Sequence, residues 1–317
     1  MTSVRILQGD CRDMLPTLPA ESVHCCVTSP PYFGLRDYGH DGQIGLEQTP
    51  EAFVAELVAV FREVRRVLRD DGTLWLNLGD SYNAYNGNRG VSTGEANGRH
   101  HEIMPGLPKG AGLTVASLKQ KDLIGIPWRV AFALQADGWY LRQDIIWSKP
   151  NPMPESVRDR CTKAHEYLFL LSKSPRYYFD SEAMQEPANY PEGAGNIVAQ
   201  HIPGEREGEN ANLCNGLHKC GPRDTRNKRS VWTVAAQPYS EAHFATFPPA
   251  LIDPCIKAGC PEGGTVLDPF FGAGTTGLVA NRLQRNAIGI ELNAVYINIA
   301  EQRIYGDAPL FAEVDVS

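Results

Sequence analysis

Residues Val266 to Glu291 constrain the fold more than any other stretch of the chain. A short apolar strand starting at Val266 and Leu267 runs into Asp268-Pro269-Phe270-Phe271-Gly272-Ala273-Gly274-Thr275-Thr276-Gly277. A helix over Thr275 to Leu283 follows, then a second strand, Ala287 to Ile290, that ends on Glu291. Glycines in such a loop let a ligand approach the backbone, and a carboxylate at the tip of the next strand binds ribose hydroxyls. Gly272 to Gly277 satisfies the spacing Gly-x-Gly-x-x-Gly, so a nicotinamide-dependent oxidoreductase is one reading. A phosphate-binding P-loop fits poorly, because no Gly-Lys-Ser/Thr follows. Close packing of a helix on a strand would also account for the glycines, and a solvated strand end for Glu291.

The same alternation runs through the rest of the chain. Strands are expected at Val4 to Leu7 (ending at Gly9-Asp10), Val23 to Val27, Thr73 to Leu78, Tyr140 to Trp147 and His165 to Ser172. Helices are expected at Met14 to Leu18, Pro50 to Leu68, Leu123 to Ala136, Pro248 to Ala258 and Ala294 to Ile304. The second of these carries Phe53, Leu57, Val60, Phe61, Val64, Val67 and Leu68 at helical spacing, with Asp70-Asp71-Gly72 as its stop. Strands alternating with helices predict a doubly wound, mostly parallel α/β sheet. Two polar, irregular stretches interrupt it, Asn83 to Gly112 and Pro175 to Gly221, and loops of that length are functional or disordered. The expected organisation is one discontinuous domain (1–82, 123–174 and 235–317), a polar loop (83–122) and an inserted region (175–234).

Composition narrows the partners. A net charge of −7 on 317 residues argues against a protein that coats nucleic acid along its whole surface, but leaves room for a local basic face. The densest basic run is Arg223-Asp224-Thr225-Arg226-Asn227-Lys228-Arg229. Eight scattered cysteines, no leader pattern and no long apolar run give the expectation of a cytoplasmic protein with free thiols and no membrane segment. Cys214, His218 and Cys220 supply three ligands where structural zinc needs four, so no metal is expected.

The strand ending Cys25-Cys26-Val27-Thr28 runs into Ser29-Pro30-Pro31-Tyr32. Consecutive prolines fix φ, remove backbone donors and push the residue before each into extended geometry. What remains is a rigid display of acceptors, the Ser29 hydroxyl and the carbonyls of Ser29 and Pro30, beside the ring of Tyr32. A flat heterocycle bearing an amino group is held by that combination.

Together these segments resemble the amino-directed DNA methyltransferases, which use S-adenosylmethionine. Asp268-Pro269-Phe270-x-Gly272-x-Gly274-Thr275-Thr276 is similar to their cofactor motif, and Ser29-Pro30-Pro31-Tyr32 to their catalytic motif. The catalytic motif stands N-terminal to the cofactor motif, with the variable region between, an order that resembles the β class. Trp147-Ser148-Lys149-Pro150-Asn151, His165-Glu166-Tyr167 and His243-Phe244-Ala245-Thr246-Phe247-Pro248-Pro249 extend the resemblance over nearly the whole chain. It implies a Rossmann-like fold in which 175–234 is the target-recognition region. It also implies that Glu291, with Leu292, binds the ribose, and that Phe270 and the backbone of Gly272 and Gly274 line the cofactor. Asp10 would approach the adenine ring, with Cys11 and Thr28 beside it. His243, Phe244 and Thr246 would sit near the methionine part, and Asp268, Pro269, Thr275 and Thr276 complete the motif.

An exocyclic amine is a poor nucleophile because its lone pair is delocalised into the ring. Ser29 and the Pro30 carbonyl, accepting its two hydrogens, would localise that pair, and Tyr32, seated after Pro31, would stack on the base. No covalent enzyme intermediate is needed. The base must leave the helix to be reached. His165 and Glu166 read as a packed strand start near the target base. Arg89, Arg223, Arg226, Lys228 and Arg229 are the expected contacts to double-stranded DNA. A homodimer is expected, with or without a cognate restriction enzyme. Ser at the first motif position goes with cytosine-N4 methylation in the family. The segment Thr28 to Gly39 is similar to solitary or prophage-borne enzymes, some of which act on adenine, and on that ground the sequence leans to adenine-N6. An RNA or glutamine-amide methyltransferase and a non-catalytic DNA-binding protein are also compatible with these residues.

Overall fold

The computed structural model describes residues 2–35, 39–40, 42–83, 115–188, 224–237, 246–307 and 312–317. They fall into two compact units, 1–179 with 230–317, and 180–229. In chain order the elements are β1 (Thr2–Gln8), α1 (Cys11–Met14, continued by a 3-10 turn at Leu15–Thr17), β2 (Val23–Thr28), α2 (Pro50–Val67), β3 (Leu68–Leu78), α3 (Ile126–Ala136), β4 (Tyr140–Ser148), β5 (His165–Ser172), β6 (Gln185–Pro187), β7 (Thr225–Asn227), β8 (Val231–Thr233), α4 (Pro249–Gly259), β9 (Thr265–Asp268), α5 (Thr275–Arg282), β10 (Asn286–Glu291), α6 (Ala294–Asp307) and β11 (Ala312–Val316).

The larger unit carries one sheet in the order β11-β1-β10-β9-β2-β3-β5-β4-β8. From β11 to β3 every pairing is parallel, and β5 then runs antiparallel between β3 and β4. Alternate residues of β2 and β3 face opposite layers. Cys26, Leu74, Leu76 and Leu78 join a core with Phe53, Leu57 and Phe61 of α2 and Val130 and Leu134 of α3. On the other face, a Cβ added to Gly259 of α4 would meet Thr73, Trp75 and Cys25 at 2.7, 2.7 and 2.8 Å. Helices therefore cover both faces, the doubly wound arrangement expected. Cys25 and Cys26 are fully buried, which pushes both thiols well above their ordinary pKa.

Several boundaries differ from the periodicity. The first helix starts earlier, at Cys11, because the Asp10 side chain caps the Arg12 N–H. Asp70-Asp71-Gly72 lies within β3 instead of ending α2; the chain passes directly from Val67 into Leu68, and the register slips between the Val23 and Cys25 pairings. α3 begins at Ile126, since Gly125 is left-handed (φ 79°) and the Asp80 carboxylate accepts from the Gly125 and Ile126 N–H groups. β8, which lies inside 175–234, joins the large sheet beside β4. In the smaller unit β6 and β7 form an antiparallel pair. No helix among the described residues is long and apolar enough to cross a membrane.

Candidate active site

Because β1, β10, β9, β2 and β3 are parallel, their C-terminal ends share one edge of the sheet, where open α/β sheets bind ligands. Gln8 is level with Glu291, Gly289 with Asp268, and Thr28 with Leu76. The antiparallel β5 brings its first residues to the same edge, with Tyr167 opposite Leu78, and β4 places Ser148 opposite His165. Segments 240 residues apart in sequence thus become neighbours: the Thr28 hydroxyl donates to Asp268 Oδ1 at 2.6 Å.

That bond is part of a buried clasp. Thr276 donates to Asp268 Oδ2 at 2.7 Å, and the Phe270 N–H donates to Oδ1 at 3.0 Å. Thr28, Asp268 and Thr276 are at most 2% exposed, so their polar atoms serve one another and join the Ser29 loop to the glycine loop. In this structure these three side chains tie the two loops together. Thr275 is likewise buried, accepting from Arg303, and Pro269 is buried.

Burial pushes the Asp268 carboxyl up to about 6 against the lowering effect of its three bonds. The unfolded chain releases this proton near pH 4, so folding retains a proton between about pH 4 and 6, and the group's contribution to stability is lost as pH rises through that window. Asp268→Asn abolishes the titration while keeping an oxygen for Thr28. Denaturation of both proteins at about pH 5 and 7 should show the wild type losing about 1 kcal/mol relative to the variant on going to the higher pH. Equal pH dependence would exclude this coupling.

The glycines divide by role. Gly274 (φ +74°) packs on α6, where an added Cβ would lie 2.7 Å from the Ala300 Cβ, and one on Gly277 would lie 2.6 Å from the Phe271 ring. At both positions the neighbours leave no room for a Cβ. Gly272 (φ +52°) differs: an added Cβ would meet nothing closer than the Phe270 carbonyl at 4.0 Å, so its Cα opens on free space. Its N–H donates to Glu291 Oε2 at 2.7 Å, and the Asn293 N–H donates to Oε1 at 2.8 Å. Burial raises the Glu291 carboxyl above its ordinary range despite these bonds. A carboxylate fixed by two amides beside an open glycine, with half-buried Phe270 and Leu292 on either side in sequence, is a fitting cradle for a nucleoside-bearing cofactor. Asp10 is turned on Arg12 (2.5 Å), whose hydrogen bond lowers its pKa, and Cys11 is buried with its thiol pushed up to about 12. Thr246 is half-buried, while His243 and Phe244 lie outside the described residues.

In the catalytic loop Pro30 is buried and Ser29, Pro31 and Tyr32 are half-buried. The Ser29 hydroxyl has no hydrogen-bond partner among the described residues. Tyr32 lies against Gly79, where an added Cβ would overlap its ring. Its hydroxyl donates to Glu166 Oε2 at 2.6 Å and lies 3.2 Å from Asn77 Oδ1. Glu166 also receives Lys149 Nζ and, at 3.3 Å, Asn77 Nδ2. Sequence reasoning gave no role to Asn77, Gly79 or Lys149, and read Glu166 as strand packing; the antiparallel pairing of β5 with β3 that gathers them has no sequence signature.

Of the expected DNA contacts, Arg226 pairs across the β6–β7 ladder with Glu186 (2.9 Å), which engages its guanidinium within the unit. Lys228 is half-buried and Arg229 exposed. Arg89 and Arg223 lie outside the described residues, as do Cys214, His218 and Cys220; no cluster able to hold a metal occurs among the described ones.

Comparison with known proteins identifies the family. A DNA methylase family model matches residues 23–302. The chain is 47% identical over 304 residues to the Type II methyltransferase M.SmaI of Serratia marcescens, covering 96% of this chain and 91% of that protein. Among solved structures it is similar to the cytosine-N4-specific PvuII DNA methyltransferase (19% identity, 99% and 95% of the two chains, TM-score 0.62). It is also similar to TTHA0409 of Thermus thermophilus complexed with S-adenosyl-L-methionine (24% identity, 98% and 99%, TM-score 0.59).

Proposed function

The chain belongs to the N6/N4 DNA methylase family and is a Type II DNA amino-methyltransferase that uses S-adenosylmethionine, and from that premise we propose that it methylates N4 of a cytosine flipped out of duplex DNA. Ser29 carries this reading, since serine at this motif position goes with cytosine-N4 in the family. The lean to adenine-N6 rests on likeness to solitary or prophage-borne enzymes. The Type II name of the Serratia relative supports a member of a restriction-modification system in place of a solitary enzyme, and the PvuII enzyme of the same fold, which acts on cytosine-N4, supports the cytosine reading.

S-adenosylmethionine supplies the electrophilic methyl group. Glu291, held by the Gly272 and Asn293 amides, accepts from the ribose hydroxyls, and the open face of Gly272 admits the cofactor beside Phe270. Ser29 and the Pro30 carbonyl accept the two amine hydrogens and draw the nitrogen lone pair out of the ring. Tyr32 stacks on the base and fixes its plane. The Thr28–Asp268 bond holds both loops in one frame, so the rate gain comes from positioning and electrostatics.

The segment 175–234 serves as the target-recognition region in this proposal, with Arg229, Lys228, Arg223 and Arg89 on phosphates. A homodimer acting in the cytoplasm, alongside an endonuclease that reads the same site, completes it; the endonuclease is supported by the relative's Type II name. The test is chemical. DNA from cells expressing the chain, digested to nucleosides and analysed by mass spectrometry, should contain N4-methylcytosine. N6-methyladenine in its place would overturn the base assignment.

A further inference from the structure

We propose that Glu166 is a positioning residue, holding Tyr32 in the plane that the target base must meet, and that Lys149 in turn fixes Glu166. The inference rests on the catalytic role of the Ser29-to-Tyr32 loop and adds to it a support that the loop motif does not contain.

Geometry carries it. A tyrosine hydroxyl has one proton, and the 2.6 Å contact to Glu166 Oε2 takes it in preference to the 3.2 Å contact to Asn77 Oδ1. Such a bond to a carboxylate is roughly twice as strong as one between neutral groups. The other carboxylate oxygen, Oε1, receives Lys149 Nζ, which also sits 4.3 Å from the centre of the Trp147 ring. Asn77 Nδ2 braces Oε2 at 3.3 Å and the Tyr167 carbonyl at 3.1 Å. Glu166 and Lys149 side chains are only 15% and 20% exposed, so water competes weakly for these bonds.

The ring is constrained at its other side by Gly79, which leaves no room for a Cβ. Tyr32 is thus held by backbone along its ring and by a charge at its tip. The strands supply the rigidity: Tyr167 pairs with Leu78, which puts Glu166 and Gly79 on the same side of that antiparallel rung, and Trp147 pairs with Glu166, which puts Lys149 within reach. A ring that stacks on an extruded base gains from being fixed before the base arrives, because misplacement of reacting groups by about 1 Å costs up to about a hundredfold in rate. Glu166 contributes that fixation without touching substrate.

The test is a double-mutant cycle on single-turnover transfer of labelled methyl to DNA, with Tyr32→Phe, Glu166→Ala and the pair. Tyr32→Phe keeps the ring and leaves Glu166 on Lys149, so it reports the hydroxyl bond even if Glu166→Ala does not fold. Each single variant should slow transfer about tenfold to a hundredfold with cofactor affinity unchanged. The pair should be no slower than the slower single variant, and Glu166→Gln, which keeps an acceptor oxygen, should recover part of the rate. Wild-type speed in Tyr32→Phe, or multiplying effects in the pair, would overturn the proposal. Product identity reports separately on the base assignment: N6-methyladenine would refute cytosine and leave the result of the cycle for Glu166 intact.

Discussion

Ser29→Ala lowers methyl transfer by about two to three orders of magnitude while S-adenosylmethionine binds as before. The size is that of deleting one preorganised hydrogen-bonding group aimed at developing charge. The separation from cofactor binding follows from the sheet: Ser29 follows β2, whereas Gly272 lies in the loop after β9 and Glu291 ends β10. The hydroxyl has no structural partner among the described residues, so its removal leaves no orphaned donor and little cost in stability. Radiolabel transfer to DNA, paired with calorimetric titration of the cofactor, reads both quantities. Near-normal turnover in Ser29→Ala would remove the hydroxyl from the reaction and, with it, the basis for assigning cytosine.

Glu291→Ala has the opposite signature, weakening S-adenosylmethionine by about tenfold to a hundredfold, as expected when a charged acceptor is withdrawn from a hydrogen-bonded ligand. It also strands the Gly272 and Asn293 N–H groups that the carboxylate now satisfies, so melting temperature falls as well. Glu291→Gln separates the effects by keeping one acceptor oxygen. The raised pKa of this carboxyl adds a pH test. Protonation removes the charge that the ribose hydroxyls donate to. Wild-type affinity should therefore decline on acidification, at a higher pH than an ordinary glutamate would give, and the decline should be absent in Glu291→Gln. Unaltered cofactor affinity in Glu291→Ala would dissociate the β10 tip from the cofactor.

Elements with strong apolar periodicity were legible without coordinates. α2 repeats its buried residues at helical spacing, β5 is a short continuous apolar run (Leu168 to Leu171) buried on both faces, and the unit from β9 to β10 carries its own loop signature. β11 was missed although Ala312–Val316 alternates apolar and acidic residues; it is a five-residue edge strand that pairs on one side only, with β1. The β6–β7 pair was missed because three-residue strands are too short for a period to register. At the site, the carriers of chemistry could be named from motifs, but the distinction between Gly272, which opens on space, and Gly274, which packs on Ala300, depends on a helix further down the chain. Glu166 illustrates the same limit. Its partners come from separated segments, and only strand direction brings them to one carboxylate.

The pairing of β1 has consequences during synthesis. β1 is flanked by β10 and β11, so Val4 finds its partners at Ala287 and Val314. A ribosome adding about 5–20 residues per second needs roughly 15 to 60 s to supply the first of them. Throughout that interval the apolar face of residues 2–8 has no neighbouring strand to receive it. Nascent chains stalled before β10 should bind chaperones through β1, and release should coincide with the emergence of β10 and β11.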